Sequence, residues 1–64
     1  MTRDDAERIA RERWGAGGEA FTLGLSHYVG VASAPRKTQT NSMRVDHDVR
    51  GWGPSYEHAF EIAD

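Results

Sequence analysis

The sequence predicts an α+β domain in the order α-β-β-β-α, a three-stranded antiparallel sheet with two helices packed on one face. Apolar residues recur at spacings of three and four near both ends: Ala6, Ile9, Ala10 and Trp14, then Tyr56, Ala59, Phe60 and Ala63. Between these stretches the period falls to two, in Phe21-Leu23-Leu25, in Val29-Val31 and in Met43-Val45-His47-Val49. Glycines at 15, 17 and 18 and at 51 and 53 separate the helical pattern from the alternating one. Sixty-four residues make one domain, spanning 1–64.

Residues 2 to 14 form the first expected helix. Thr2 with Asp5 resembles a capping box, and the carboxylate lies near the positive end of the dipole. Asp4 with Arg8, and Glu7 with Arg11, are acid-before-base pairs four apart, each contributing about 0.3 kcal/mol. Gly15 stops the helix, and Gly17-Gly18 link it to the first strand. From Glu19 the alternation of Phe21, Leu23 and Leu25 with Thr22, Gly24 and Ser26 reads as a strand. A second strand runs from Tyr28 to Ala32, with a turn expected around Ser26-His27. Residues 34 to 42 are polar, contain Pro35 and show no period, so they read as a long loop. Met43 to Arg50 alternates again and forms the third strand. Gly51 to Pro54 is a tight connection, Ser55 is an N-cap, and the final helix of two to three turns is too short to stand alone.

Placing the larger apolar residues inward gives an expected core. It comprises Ile9, Ala10, Trp14, Phe21, Leu23, Leu25, Val29, Val31, Val45, Val49, Tyr56 and Phe60. The opposite sheet face is then polar, with Thr22, Ser26, Tyr28, Arg44, Asp46, Asp48 and Arg50.

Eight Lys and Arg against ten Asp and Glu leave a net charge of -2. That balance lacks the basic excess of a protein that coats nucleic acid, and the dense acidity of a nucleic-acid mimic. With no cysteine, disulfides, thiol catalysis, zinc knuckles and iron–sulfur clusters are excluded. No apolar run approaches the ~18 residues of a membrane span, and the start is acidic, so a cytoplasmic location is expected.

The three histidines, His27, His47 and His58, do not fall into a metal pattern. Asp46, His47 and Asp48 are strand neighbours that point to opposite faces, so they do not chelate together. Ser55 near His58 reads as a helix cap rather than a nucleophile and base. Every Asp and Glu falls on a polar face or in a loop, away from the apolar pocket that a general acid needs. The expectation is a protein that is not an enzyme, without cofactor or metal. Recognition chemistry is better represented. Arg36-Lys37 in the 34–42 loop, followed by Thr38, Gln39, Thr40 and Asn41, forms a candidate binding loop. Tyr28 on the wet sheet face and Trp52 between two glycines belong to residue types favoured at binding hot spots. The candidate partner-binding set is Tyr28, Arg36, Lys37, Arg44, Asp46, Asp48, Arg50 and Trp52.

The α-β-β-β-α order resembles that of double-stranded-RNA-binding domains. In that family a lysine cluster opens the last helix, whereas here Ser55-Tyr56-Glu57-His58-Ala59-Phe60-Glu61 carries acids, and His27 lacks a preceding Gly-Pro. Nucleic-acid binding stays as the alternative, with Arg36, Lys37, Arg44 and Arg50 as the phosphate contacts. The ending Gly51 to Ala63 resembles that of short phage and prophage proteins, which close on a glycine turn, a serine, an aromatic and an amphipathic helix. That resemblance implies a small inhibitor, of the kind that includes anti-CRISPR proteins, which blocks a host defence complex by protein–protein contact. The expected partner is a host protein or complex, and edge strands allow a homodimer.

Overall fold

A computed structural model describes all 64 residues. Helix α1 (Arg3–Trp14) starts at a complete capping box. The Thr2 hydroxyl accepts from the Asp5 N–H at 3.2 Å, and the Asp5 carboxylate accepts from the Thr2 N–H at 3.5 Å. Along its exposed side Glu7 pairs with Arg11 at 3.8 Å, while Arg8 turns to Asp5 at 3.6 Å rather than to Asp4. Gly15, at φ 94°, ends the helix and returns its N–H to the Arg11 carbonyl.

Strands β1 (Gly18–Leu23) and β2 (Ser26–Ala32) form an antiparallel hairpin in which Leu23 faces Ser26. The turn is therefore Gly24-Leu25, with Gly24 at φ 61°, two residues before the expected position. The chain then leaves the sheet. Residues expected as a loop pair instead as a small ribbon, β3 (Arg36–Lys37) and β4 (Met43–Arg44). It returns as β5 (His47–Gly53), antiparallel to β2, giving the sheet order β1-β2-β5. The expected third strand is thus split between ribbon and sheet, and Gly51 to Gly53 extend β5 rather than forming the turn. Helix α2 (Tyr56–Ala63) follows at once, with the Ser55 hydroxyl accepting from the His58 N–H at 3.2 Å.

The α+β class and the element order agree with the sequence, and β2 faces as expected with Val29 inward and Tyr28 outward, but β1 and β5 present the opposite face to the helices. The core is Ala6, Ala10, Ala20, Val29, Tyr56, Ala59 and Phe60, with Ile9, Trp14 and Ala63 packed against it. Leu23, Val45 and Val49, expected inside, are exposed, and Leu25 at the turn is 95% exposed. Phe21 is half-buried on the face away from the helices. Alternation fixes which residues share a face; it does not say which face turns inward. Here close approach of the backbones decides. A Cβ added at Gly18 would overlap the Ala10 backbone, and one added at Gly51 would overlap the Ala59 carbonyl. The small residues Gly18, Ala20 and Gly51 meet Ala6, Ala10 and Ala59, so both helices lie tight on the sheet and the bulky strand residues turn out. Trp14 stacks on Phe60 at 6.0 Å and ties the two helices together.

Candidate interaction surface

With both helices on one side, the other side of β1-β2-β5 has no element over it. Phe21, Tyr28 and Trp52 are consecutive cross-strand partners and form an aromatic row across the three strands. The Phe21 and Tyr28 rings stack at 5.2 Å and 14°, each half-buried by the other, whereas Trp52 at the edge is 54% exposed. Leu23, 65% exposed, adjoins the row on one side. On the other side Glu19, Gly30 and Val49 form the next row. A bulge in β5 between those rows makes Arg50 the extra residue.

Beyond Val49 lies His47, whose Nδ1 is 2.8 and 3.0 Å from the two Glu19 carboxylate oxygens. A carboxylate only accepts, so Nδ1 donates to it and Nε2 is left for solvent or a partner. The His47 ring meets Phe21 edge-on at 6.2 Å. The surface thus has an apolar aromatic centre and one polar end. Beside it, Arg3, Glu7, Glu19, Phe21, Leu23 and His47 line an open hollow of about 450 Å³.

Of the residues expected at a binding site, Tyr28 and Trp52 are brought together. Arg44 and Asp46 are not on this face; they lie with Arg36 on the ribbon. Arg36 donates through Nη2 to Asp46 at 2.6 Å and Arg44 through Nε at 2.9 Å. Lys37, opposite Met43, is exposed beside them. Asp48 and Arg50 pair with each other at 3.4 Å, and the Arg50 guanidinium reaches the helix side to lie 5.3 Å over the Trp14 ring. The cause is the same inverted phase, together with the bulge, which puts Arg50 and Gly51 on one side. Phe21, Leu23, Val49, Glu19 and His47 were missed as surface residues. The signal available was the run of glycine and alanine at the alternate positions 18, 20, 51 and 53.

Arginines 3, 8, 11, 13, 36, 44 and 50 each sit within ion-pairing distance of a carboxylate, which leaves Lys37 as the cationic side chain without one. A backbone hydrogen bond and then the Met1 ammonium, 3.1 Å away, hold the Glu57 carboxyl below its ordinary range. On the helix side the His27 ring meets Tyr56 edge-on at 4.6 Å, with its Nδ1 buried and unpartnered. No group of three or more His, Asp or Glu side chains is placed to hold a metal ion. No helix is long and apolar enough to cross a membrane.

Comparison with family models, with curated proteins and with solved structures finds no match to this chain.

Proposed function

We infer that the protein is a non-enzymatic binding module that engages a protein partner through the open sheet face. The observation that carries this reading is the Phe21-Tyr28-Trp52 row, large aromatic side chains left outside a domain whose core is built mainly from alanine. Aromatic residues at the centre of a contact are the usual carriers of binding energy. The partner is a protein with an apolar patch to cover Leu23, Tyr28, Val49 and Trp52, and a hydrogen-bonding group to meet His47 Nε2. A base-stacking surface fits less well, because Phe21 and Tyr28 spend ring faces on each other and Glu19 puts an acid on the face. That the partner belongs to a host defence complex, and that the chain comes from a phage, rest on the resemblance of its ending to short phage proteins.

The test is capture from nuclease-treated bacterial lysate with the wild type, Tyr28→Ala and Trp52→Ala. The reading expects a stoichiometric protein whose affinity falls at least about fivefold in each variant, the equivalent of more than ~1 kcal/mol. No protein retained from the nuclease-treated lysate, or retention that is equal for all three proteins, would overturn it.

A further inference from the structure

The β3–β4 ribbon stands apart from the three-stranded sheet and supplies no residue to the core. Its strands pair only with each other, and the molecule is drawn out to 38 Å against 25 and 19 Å in the other directions. The accessible surface is 4467 Å², where a folded monomer of this mass exposes about 4,100 Å². A two-stranded ribbon without a packed face is marginal in water. This one is held at its base by Ser33 and Asp46, whose backbones and the Ser33 hydroxyl exchange two bonds of 2.8 Å. At its tip the Thr38 N–H reaches Ser42 and the Asn41 N–H reaches Thr38, with Asn41 at φ 62°.

Its charge is opposite to that of the chain. From Ala20 to Val45 there is no aspartate or glutamate, and the cations in that span are Arg36, Lys37 and Arg44. Arg36 and Arg44 stand directly opposite each other, an arrangement that opposes pairing of the ribbon. Asp46 offsets the repulsion from the base, but it holds Arg36 by one Nη2 and Arg44 by Nε, leaving most of the five N–H donors of each guanidinium uncommitted. These are exposed pairs, weak enough to exchange for another anion. At the tip, the Thr38, Thr40 and Ser42 hydroxyls bond one another, while the exposed Gln39 and Asn41 amides have no partner.

We propose that this ribbon is a nucleic-acid-binding arm that enters the major groove of double-stranded DNA. Arg36, Lys37 and Arg44 contact phosphates, and Gln39 and Asn41 meet base edges at the tip. The B-DNA major groove, about 12 Å wide, admits a two-stranded β-ribbon, and Asn and Gln amides match the adenine edge there. Three cations set the strength. Neutralising three phosphates gives a log–log salt slope of about -2.7, so affinity falls about 40-fold between 50 and 200 mM salt. This activity is separate from the sheet face, which lies on other residues.

The test is fluorescence anisotropy of a labelled 20-base-pair DNA of mixed sequence, titrated with the full chain at both salt concentrations. The proposal expects a Kd below about 100 μM at the lower salt and the steep salt loss above. The triple variant Arg36→Gln, Lys37→Gln, Arg44→Gln should bind at least tenfold more weakly with an unchanged melting temperature, because these side chains support no core. No binding of the wild type at low salt, or equal binding by the triple variant, would overturn it. So would equal affinity for labelled polyglutamate or for double-stranded RNA, whose major groove is too narrow for the ribbon.

Discussion

Gly51→Ala is the substitution that most sharply separates the two ways of facing this sheet. Gly51 has ordinary negative φ, so alanine brings no backbone strain of its own. Its new Cβ would overlap the Ala59 carbonyl oxygen and sit 2.9 Å from both the Ala59 carbonyl carbon and the Ala63 nitrogen. These are backbone atoms of α2, which cannot rotate away as a side chain can, so the helix must lift from β5. Overpacking costs ~1–3 kcal/mol, occasionally more, and the rigid neighbour puts this site at the upper end, about 2–3 kcal/mol. A chain of this length has roughly 3–10 kcal/mol of stability in all. At about 4–8 °C per kcal/mol for a domain of this size, the melting temperature falls by about 10–20 °C. The companion is Leu25→Ser. A leucine inside the core would cost about 2–5 kcal/mol when truncated, whereas at this exposed turn the change is expected within ~0.5 kcal/mol. Urea unfolding followed by far-UV circular dichroism reads both. A neutral Gly51→Ala beside a damaging Leu25→Ser would refute the packing described above and turn the aromatic row inward.

Other outcomes follow from local geometry. Ser55→Ala removes the acceptor for the His58 N–H and should cost about 1 kcal/mol in the same urea assay. Glu57 has a folded pKa depressed below its ordinary 4.5, so its contribution to stability is present above that value and lost as pH falls through the lower folded one. Urea midpoints measured down the acid limb should therefore fall less steeply in Glu57→Gln than in the wild type, and parallel limbs would contradict the assignment.

Legibility in the sequence differed by the range of the interaction. Both helices and both caps are local, set by Thr2 with Asp5 and by Ser55 a few residues from their partners, and both were readable. The three sheet strands were readable as strands, although the last was placed about four residues early and Arg36–Lys37 of the ribbon lay in an expected loop, and Val49 and His47 do share a face as their spacing requires. The side they face depends on how closely α1 and α2 approach, a distance that arises only when Gly18 meets Ala10 and Gly51 meets Ala59. Reading size as depth put Leu23 and Leu25 inside and Gly18 and Ala20 nowhere. The Glu19–His47 pair joins residues far apart in sequence through register alone. The bulge that sends Arg50 to Trp14 leaves no composition signal, whereas Tyr28 and Trp52 were readable from residue type.

The central claim, that the open sheet face is the working surface, is tested most directly by nuclear magnetic resonance. The amides of the isotope-labelled chain would be followed during titration with the captured partner. The account predicts shifts and broadening concentrated at Phe21, Leu23, Tyr28, Val49 and Trp52, with the outer sides of α1 and α2 unchanged. Perturbations centred on the helices, with that row untouched, would contradict it.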